Sequence, residues 1–355
     1  MCAAHQLKDP DGGEATASDD SPSAAADAAL VDALRRYKYV APELSFLERR
    51  VLDNLWTSVV ESCFPRWLAP NVVTLCGGAC IACAVALTLT HSPLLEGASP
   101  SWVYVANALL IFLYQTFDGC DGKQARRTAS GSPLGELMDH GVDAVVVGGI
   151  VALTTETFGL GLSSPWAWII LVGAQASFHA SNLTLVLGGR MLVHDSDATE
   201  LQWAIIGVHL ASAAFGPSAW ATPVGFGLPV YDASWPLDWE RGVPLRELVV
   251  LTAVGCMVVN LSSWFRNLAA SVRATPAGVP QNAAARTVLR QAAMMAAFGV
   301  ATAWCYLSVV GRQQPAGGAG AAGDGGGDDG GAGQRQRLVL LLLCSCFCFG
   351  EAMAR

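Results

Sequence analysis

Charged residues are scarce in this chain. They make up 14% of its 355 residues, against 52% hydrophobic, where a soluble domain carries about 25% charged residues. That shortage excludes an ordinary soluble globular protein. A mean hydropathy of +0.40, with the apolar residues gathered in blocks, indicates a membrane protein instead. A basic stripe interleaved with aromatics is also missing, which excludes nucleic acid as a partner. Cysteine is present 11 times, but no CxxC…CxxC pair or Cys/His set has zinc-site spacing. Most of the Cys lie inside apolar blocks, where a free thiol behaves as a small apolar side chain. Residues 1–30 lack the basic start and apolar core of a signal peptide; rich in Ala, Ser and Asp, they read as a disordered acidic tail. No internal repeat is found.

What the chain does have is a series of apolar blocks long enough, or nearly so, for the roughly 20 residues of a membrane span. They fall at about 71–90, 101–117, 142–158, 165–188, 201–220, 247–266, 289–310 and 338–350. The expected fold is therefore an all-α polytopic membrane protein with about 8–10 transmembrane helices. Ahead of the first block, residues 31–67 mix Arg35, Arg36, Arg49 and Arg50 with Phe46, Leu52 and Trp56. This reads as an N-terminal interfacial amphipathic helix. Residues 68–220 form the expected catalytic core and 221–246 a lumenal loop. Residues 247–355 are the C-terminal spans, interrupted by a Gly-rich linker at 315–333. With the N-terminus in the cytosol and each block crossing once, sixteen of the 21 Lys and Arg fall on the cytosolic side. That bias obeys the positive-inside rule and puts residues 118–143 at the cytosolic face. The sequons Asn182-Leu183-Thr184 and Asn260-Leu261-Ser262 lie within or beside apolar blocks and are read as chance matches.

The chemistry is concentrated in Asp118–Asp143, DGCDGKQARRTASGSPLGELMDHGVD. Asp118 and Asp121 are three residues apart, Asp139 and Asp143 four apart, so on helices each pair shares a face. Ser130-Gly131-Ser132-Pro133 is a turn signal. Two helices packed antiparallel about that turn bring four carboxylates to one depth. Such a cluster stays ionised in a membrane only if cations neutralise it, and hard oxygen ligands suit Mg²⁺ or Mn²⁺. A two-metal site of this kind can clamp a pyrophosphate. Gly119, Gly122, Ala125 and Gly135 leave the helix surfaces bare, either for a nucleotide or for tight helix packing. Arg126 is placed to pair with phosphate; Lys123 and Arg127 either join it or anchor the cytosolic side. A hydroxyl nucleophile needs a base. Asp143 is one candidate, but a metal-bound carboxylate is a weak base, and His140 can accept a proton near neutral pH.

Asp118-x-x-Asp121-Gly122-x-x-Ala125-Arg126, eight residues, Gly135, three residues, Asp139, three residues, Asp143 resembles the full pattern of the CDP-alcohol phosphatidyltransferase family. The wording DGKQARRT and SPLGELMDHG, with Ala69-Pro70-Asn71-Val72-Val73-Thr74, is similar to its eukaryotic choline/ethanolamine phosphotransferase branch. The resemblance is strong over about 65–145. It implies transfer of phosphoethanolamine or phosphocholine from CDP-ethanolamine or CDP-choline to diacylglycerol, with release of CMP. It also implies two metals on Asp118, Asp121, Asp139 and Asp143, and contacts to the CDP-alcohol from Asn71, Gly122, Arg126 and Ser132. The base it implies is His140 by the aminoalcohol branch and Asp143 by the wider family. An endoplasmic reticulum or Golgi address follows from the same likeness, which also allows a homodimer. Where the branch carries a Trp-Glu-Glu-type stretch, this chain has Phe178-His179-Ala180-Ser181-Asn182-Leu183-Thr184, and Asp197-Ala198-Thr199-Glu200-Leu201 stands for a Gly-Pro-x-Glu-Gly. One alternative is a family enzyme for a different alcohol. Another is a cation-binding transporter, which would leave the Gly, Ala and Arg positions unexplained.

Overall fold

Proline opens three of the long helices; its fixed φ suits a first turn whose N–H has no partner in any case. In the computed structural model, which describes residues 44–188, 198–224, 242–273 and 281–310, a short π-helical turn (Glu48–Leu52) leads into α1 (Asp53–Cys63). Then follow α2 (Pro70–His91), α3 (Ser101–Thr128), α4 (Pro133–Thr157), α5 (Pro165–Gly188), α6 (Ala198–Phe215), α7 (Leu245–Arg273) and α8 (Gln281–Val310). All described residues belong to one unit, Val40–Arg355.

This is the all-α, multi-pass membrane architecture that the apolar blocks imply. Among the described residues, α2, α3, α4 and the Leu245–Ser263 part of α7 are long and apolar enough to cross a bilayer, and α8 holds a shorter apolar stretch, Ala292–Trp304. The block at 338–350, the linker at 315–333 and the tail at 1–30 lie outside the described residues, as does the part of the amphipathic segment before residue 44. The segment read as a loop at 221–246 is closed at its base by a two-residue antiparallel ladder, β1 (Pro223–Val224) with β2 (Val243–Pro244).

The helices outrun their apolar blocks at the motif. α3 continues from its apolar half through DGCDGKQARRT to Thr128 and stops at Ala129, which takes the left-handed conformation (φ 51°) and donates its N–H to the Ala125 and Arg126 carbonyls. Ser132 then caps α4, its Oγ accepting from the Gly135 N–H at 3.1 Å. The Ser-Gly-Ser-Pro turn thus ends one helix and starts the next with cap chemistry read directly from sequence.

α3 and α4 touch each other little. α2 packs along both of them instead, α6 covers α3, and α5 sits against α4, α7 and α8. The expected antiparallel pair is therefore a three-helix wedge, with α2 filling the angle between α3 and α4. Small residues permit it. A Cβ on Gly149 of α4 would stand 2.6 Å from Ile81 Cγ2, and one on Gly78 of α2 would stand 2.8 Å from Val142 Cγ1. Ile81, Ala84, Ile111, Tyr114, Val146 and Leu153 fill the seam. Close approach of this kind is how membrane helices gain contact where lipid offers no hydrophobic gradient.

A methyl at position 149 therefore overpacks the wedge. Gly149→Ala is expected to destabilise the detergent-solubilised protein by about 1–3 kcal/mol, seen as a lower thermal-unfolding midpoint. Gly255→Ala on α7, with no atom within 4 Å of the new Cβ, is expected to stabilise by up to about 1 kcal/mol. Equal midpoints for the two variants would overturn the wedge argument.

Candidate active site

The i, i+3 and i, i+4 spacings on α3 and α4 deliver their side chains to the mouth of the wedge. Carboxylate oxygens of Asp118, Asp139 and Asp143 lie within 4.8 Å of one another, each half-buried. One turn back on α3, Tyr114 is buried and donates its hydroxyl to Asp143 Oδ1 at 2.7 Å. Asp121 stands outside this group of three. It is buried beside α2, where Thr74 Oγ1 donates to its Oδ2 at 2.5 Å. So three of the four aspartates predicted to share one depth converge, and the fourth is drawn aside by a hydroxyl from the first turns of α2.

Two like charges about 4 Å apart repel by on the order of 4 kcal/mol at an effective dielectric near 20. A trio of carboxylates is therefore strongly unfavourable until a cation shares them. The donor set fits a hard divalent ion: the group consists of carboxylates alone, with no Cys or His in it. These three residues can hold a metal ion.

The groups predicted to meet a phosphate divide in the structure. Lys123 is ion-paired with Asp53 and donates to Thr57 Oγ1 at 3.0 Å. Arg127 Nη1 donates to the Val60 and Phe64 carbonyls, both at 2.7 Å, so it satisfies carbonyls left over at the C-terminal end of α1. Both residues thus strap α1 to α3, a packing role that neither of the alternatives read from sequence included. Arg126, between them, is exposed.

The bare helix surfaces divide likewise. Trp56 of α1 covers Gly119, where a Cβ would meet its ring at 2.4 Å; that glycine serves helix packing. At Gly122 the nearest atom to such a Cβ is Arg126 Nη1, at 3.5 Å, and at Gly135 the nearest are Ser132 Oγ at 3.4 Å and Asn71 Oδ1 at 3.5 Å. Asn71, Ser132 and Gly135 therefore gather where the first turns of α2 and α4 meet, while Gly122, half-buried Ala125 and Arg126 share the C-terminal half of α3.

His140 is buried on α4, and its Nδ1 is hydrogen-bonded to Asn182 Oδ1 on α5. Asn182, Thr74 and Tyr114 are the residues that sequence reasoning passed over. Tyr114 was within reach, being four before Asp118 on one helix face. Thr74 closes the quoted APNVVT stretch. Nothing in the spacing links Asn182 to a histidine 42 residues away.

Against known proteins, a family model for CDP-alcohol phosphatidyltransferases matches residues 67–311. Two relatives from Arabidopsis thaliana, choline/ethanolaminephosphotransferases 1 and 2, are 38% and 40% identical over 247 and 251 residues, in each case 66% of this chain and 60% of the relative. Cholinephosphotransferase 1 of Saccharomyces cerevisiae is 46% identical over 112 residues, 32% of this chain and 28% of its own. The chain thus spans about 60% of the length of the first two relatives it matches.

The carboxylate trio makes a direct prediction. Asp118→Asn, Asp139→Asn and Asp143→Asn should each weaken Mn²⁺ binding, measured by EPR on the detergent-solubilised protein, by about 10-fold or more, since loss of even an outer-shell partner costs about that much. Unchanged affinity in all three would rule the cluster out as a metal centre.

Proposed function

Because the chain belongs to the CDP-alcohol phosphatidyltransferase family, we propose that it transfers phosphoethanolamine or phosphocholine from the CDP-alcohol to diacylglycerol, forming phosphatidylethanolamine or phosphatidylcholine and releasing CMP. The observation that carries this reading is the convergence of Asp118 from α3 with Asp139 and Asp143 from α4, with His140 between the latter two in the chain. The DGKQARRT wording and the likeness to choline/ethanolaminephosphotransferases support the aminoalcohol donors over other alcohols.

The chain's own residues have distinct tasks in this reaction. Asp118, Asp121, Asp139 and Asp143 would hold two Mg²⁺ or Mn²⁺ ions, whose charge offsets that of the pyrophosphate and of the departing CMP. Arg126, the exposed cation of the Lys123–Arg127 run, pairs with phosphate oxygens. Gly122, Ala125 and Gly135 let the donor approach the backbone, and Asn71 and Ser132 hydrogen-bond to it. The acceptor is the free hydroxyl of diacylglycerol, arriving from the bilayer. Its oxygen bonds to the β-phosphorus, the bond from that phosphorus to the bridging oxygen breaks, and CMP leaves with that oxygen. The hydroxyl proton passes to a base. Asp143 Oδ1 accepts from the Tyr114 hydroxyl, and the residue belongs to the carboxylate trio; a metal-bound carboxylate is a weak base. His140 is left as the base and Asp143 as its alternative. The excess of Lys and Arg on one side supports a site facing the cytosol, and the family likeness supports an endoplasmic reticulum or Golgi membrane.

Purified protein given labelled CDP-ethanolamine or CDP-choline, diacylglycerol and Mg²⁺ or Mn²⁺ should release CMP. No CMP from either donor, with release from another CDP-alcohol, would move the assignment to a different alcohol. His140→Ala should lower turnover by roughly 10²–10⁴-fold, the usual contribution of a positioned base, with Mn²⁺ affinity retained. Full turnover in that variant would pass the role to Asp143.

A further inference from the structure

α5 carries a buried polar stripe, Gln175, His179 and Asn182, at the three- and four-residue spacing that puts all three on one helix face. Two of these residues grip α4. Gln175 Nε2 donates to the Ala144 carbonyl at 3.0 Å, and Asn182 Oδ1 pairs with His140 Nδ1. Residues 140 and 144 bracket Asp143, so α5 fixes the turn of α4 that presents both a carboxylate of the trio and the histidine.

The direction of the Asn182–His140 bond follows from chemistry. Asn182 Nδ2 donates to the Phe178 carbonyl on its own helix at 3.0 Å. A backbone carbonyl can only accept, so that contact fixes which end of the amide is nitrogen. The other end, the oxygen, is then the atom at His140 Nδ1, and an amide oxygen also only accepts. Nδ1 therefore carries the ring hydrogen. In the neutral form of the ring, which has one N–H, the lone pair is then on Nε2.

We infer that Asn182 is a positioning residue for phosphoalcohol transfer, holding His140 on α4 as the Nδ1–H tautomer so that Nε2 is the basic nitrogen. This rests on the reaction proposed above. It also gives a role to a stretch in which the chain departs from its branch: Phe178–Thr184 has no carboxylate, and the orientation of the imidazole is set by an uncharged amide. A histidine orienter of this kind sets which nitrogen can take a proton without touching the substrate.

The test uses the full chain, labelled with ¹⁵N-histidine and purified in detergent, with the His140 signals assigned by difference from His140→Gln. At a pH where the ring is neutral, wild-type Nδ1 should show the shift of a protonated ring nitrogen and Nε2 that of an unprotonated one. Asn182→Leu should abolish that asymmetry. A neutral wild-type ring that carries its single hydrogen on Nε2 would overturn the inference whatever the turnover.

Kinetics supply the second arm. Asn182→Leu should lower kcat by at least about 10-fold, within the roughly 10²–10⁴-fold a placed base contributes, with KM for the CDP-alcohol changed by no more than about twofold. Asn182→Asp, whose carboxylate also accepts from Nδ1–H, should recover most of the loss. A packing role alone predicts the opposite order, since Leu is apolar and similar in volume, while Asp buries a charge. Asn182→Leu at wild-type kcat, alongside an inactive His140→Ala, would sink the inference and spare the proposed reaction. Wild-type protein that releases no CMP from any CDP-alcohol would overturn the proposed reaction and, with it, the role of Asn182 in transfer.

Discussion

Like-charge repulsion is the constraint from which the rest of the site follows. Three carboxylates whose oxygens lie within 4.8 Å push each other apart, and a low-dielectric surround strengthens the push. Something rigid has to hold them there. A loop would relax, whereas two helices pinned by a third do not. α2 supplies the pin because Gly78 on its own surface and Gly149 on α4 let the backbones close to contact. The same helix supplies Thr74, whose hydroxyl draws Asp121 to one side, and the Tyr114 hydroxyl on α3 takes up part of the charge of Asp143. The architecture therefore stores an electrostatic demand that a divalent cation meets.

The amphipathic α1 has a part in this through its contacts with α3. Lys123, Gln124 and Arg127 all reach from α3 to α1 or the segment after it: to Asp53 and Thr57, to the Pro65 and Leu68 carbonyls, and to those of Val60 and Phe64. Trp56 lies in the notch left by Gly119. These contacts hold the last turns of α3, which lie past its apolar half and would fray if left in water. A second set ties the segment before α1 to α6: Ser45 Oγ and the Leu47 N–H donate to Glu200, and Thr199 donates to Glu48. The cationic run of the motif is thus split by geometry. Its flanks keep the helix in place, and Arg126 between them stays exposed.

Much of this was legible in sequence because the physics acts locally. An apolar block near twenty residues long has one economical home, so the positions of α2 to α8 follow from composition. Acids three and four apart share a helix face wherever the helix goes, and Ser-Gly-Ser-Pro must break one helix and cap the next. What sequence left open depends on partners far along the chain. Whether Lys123 and Arg127 face phosphate or protein depends on α1, about sixty to seventy residues earlier. Whether Gly119 is bare for a nucleotide or for Trp56 depends on the same helix. The wedge of α2 between α3 and α4 was also hidden, since a short turn between two helices invites the reading that they pack on each other.

The sequon-like Asn182 shows the limit most clearly. Local pattern reading offers only a chance match there, because the residue's meaning lies in a carbonyl four residues back and a histidine on another helix. Once both contacts are in view, an amide becomes a directional device: one end can only give a hydrogen bond and the other can only take one. That property makes the choice of ring nitrogen on His140 independent of any charge on α5. A carboxylate in its place would also accept from Nδ1, but it would add a further negative charge beside a trio that already repels itself. An amide orients the imidazole without deepening that repulsion, which is a physical reason for an uncharged Phe178–Thr184 stretch to stand next to intact Asp118, Asp139 and Asp143.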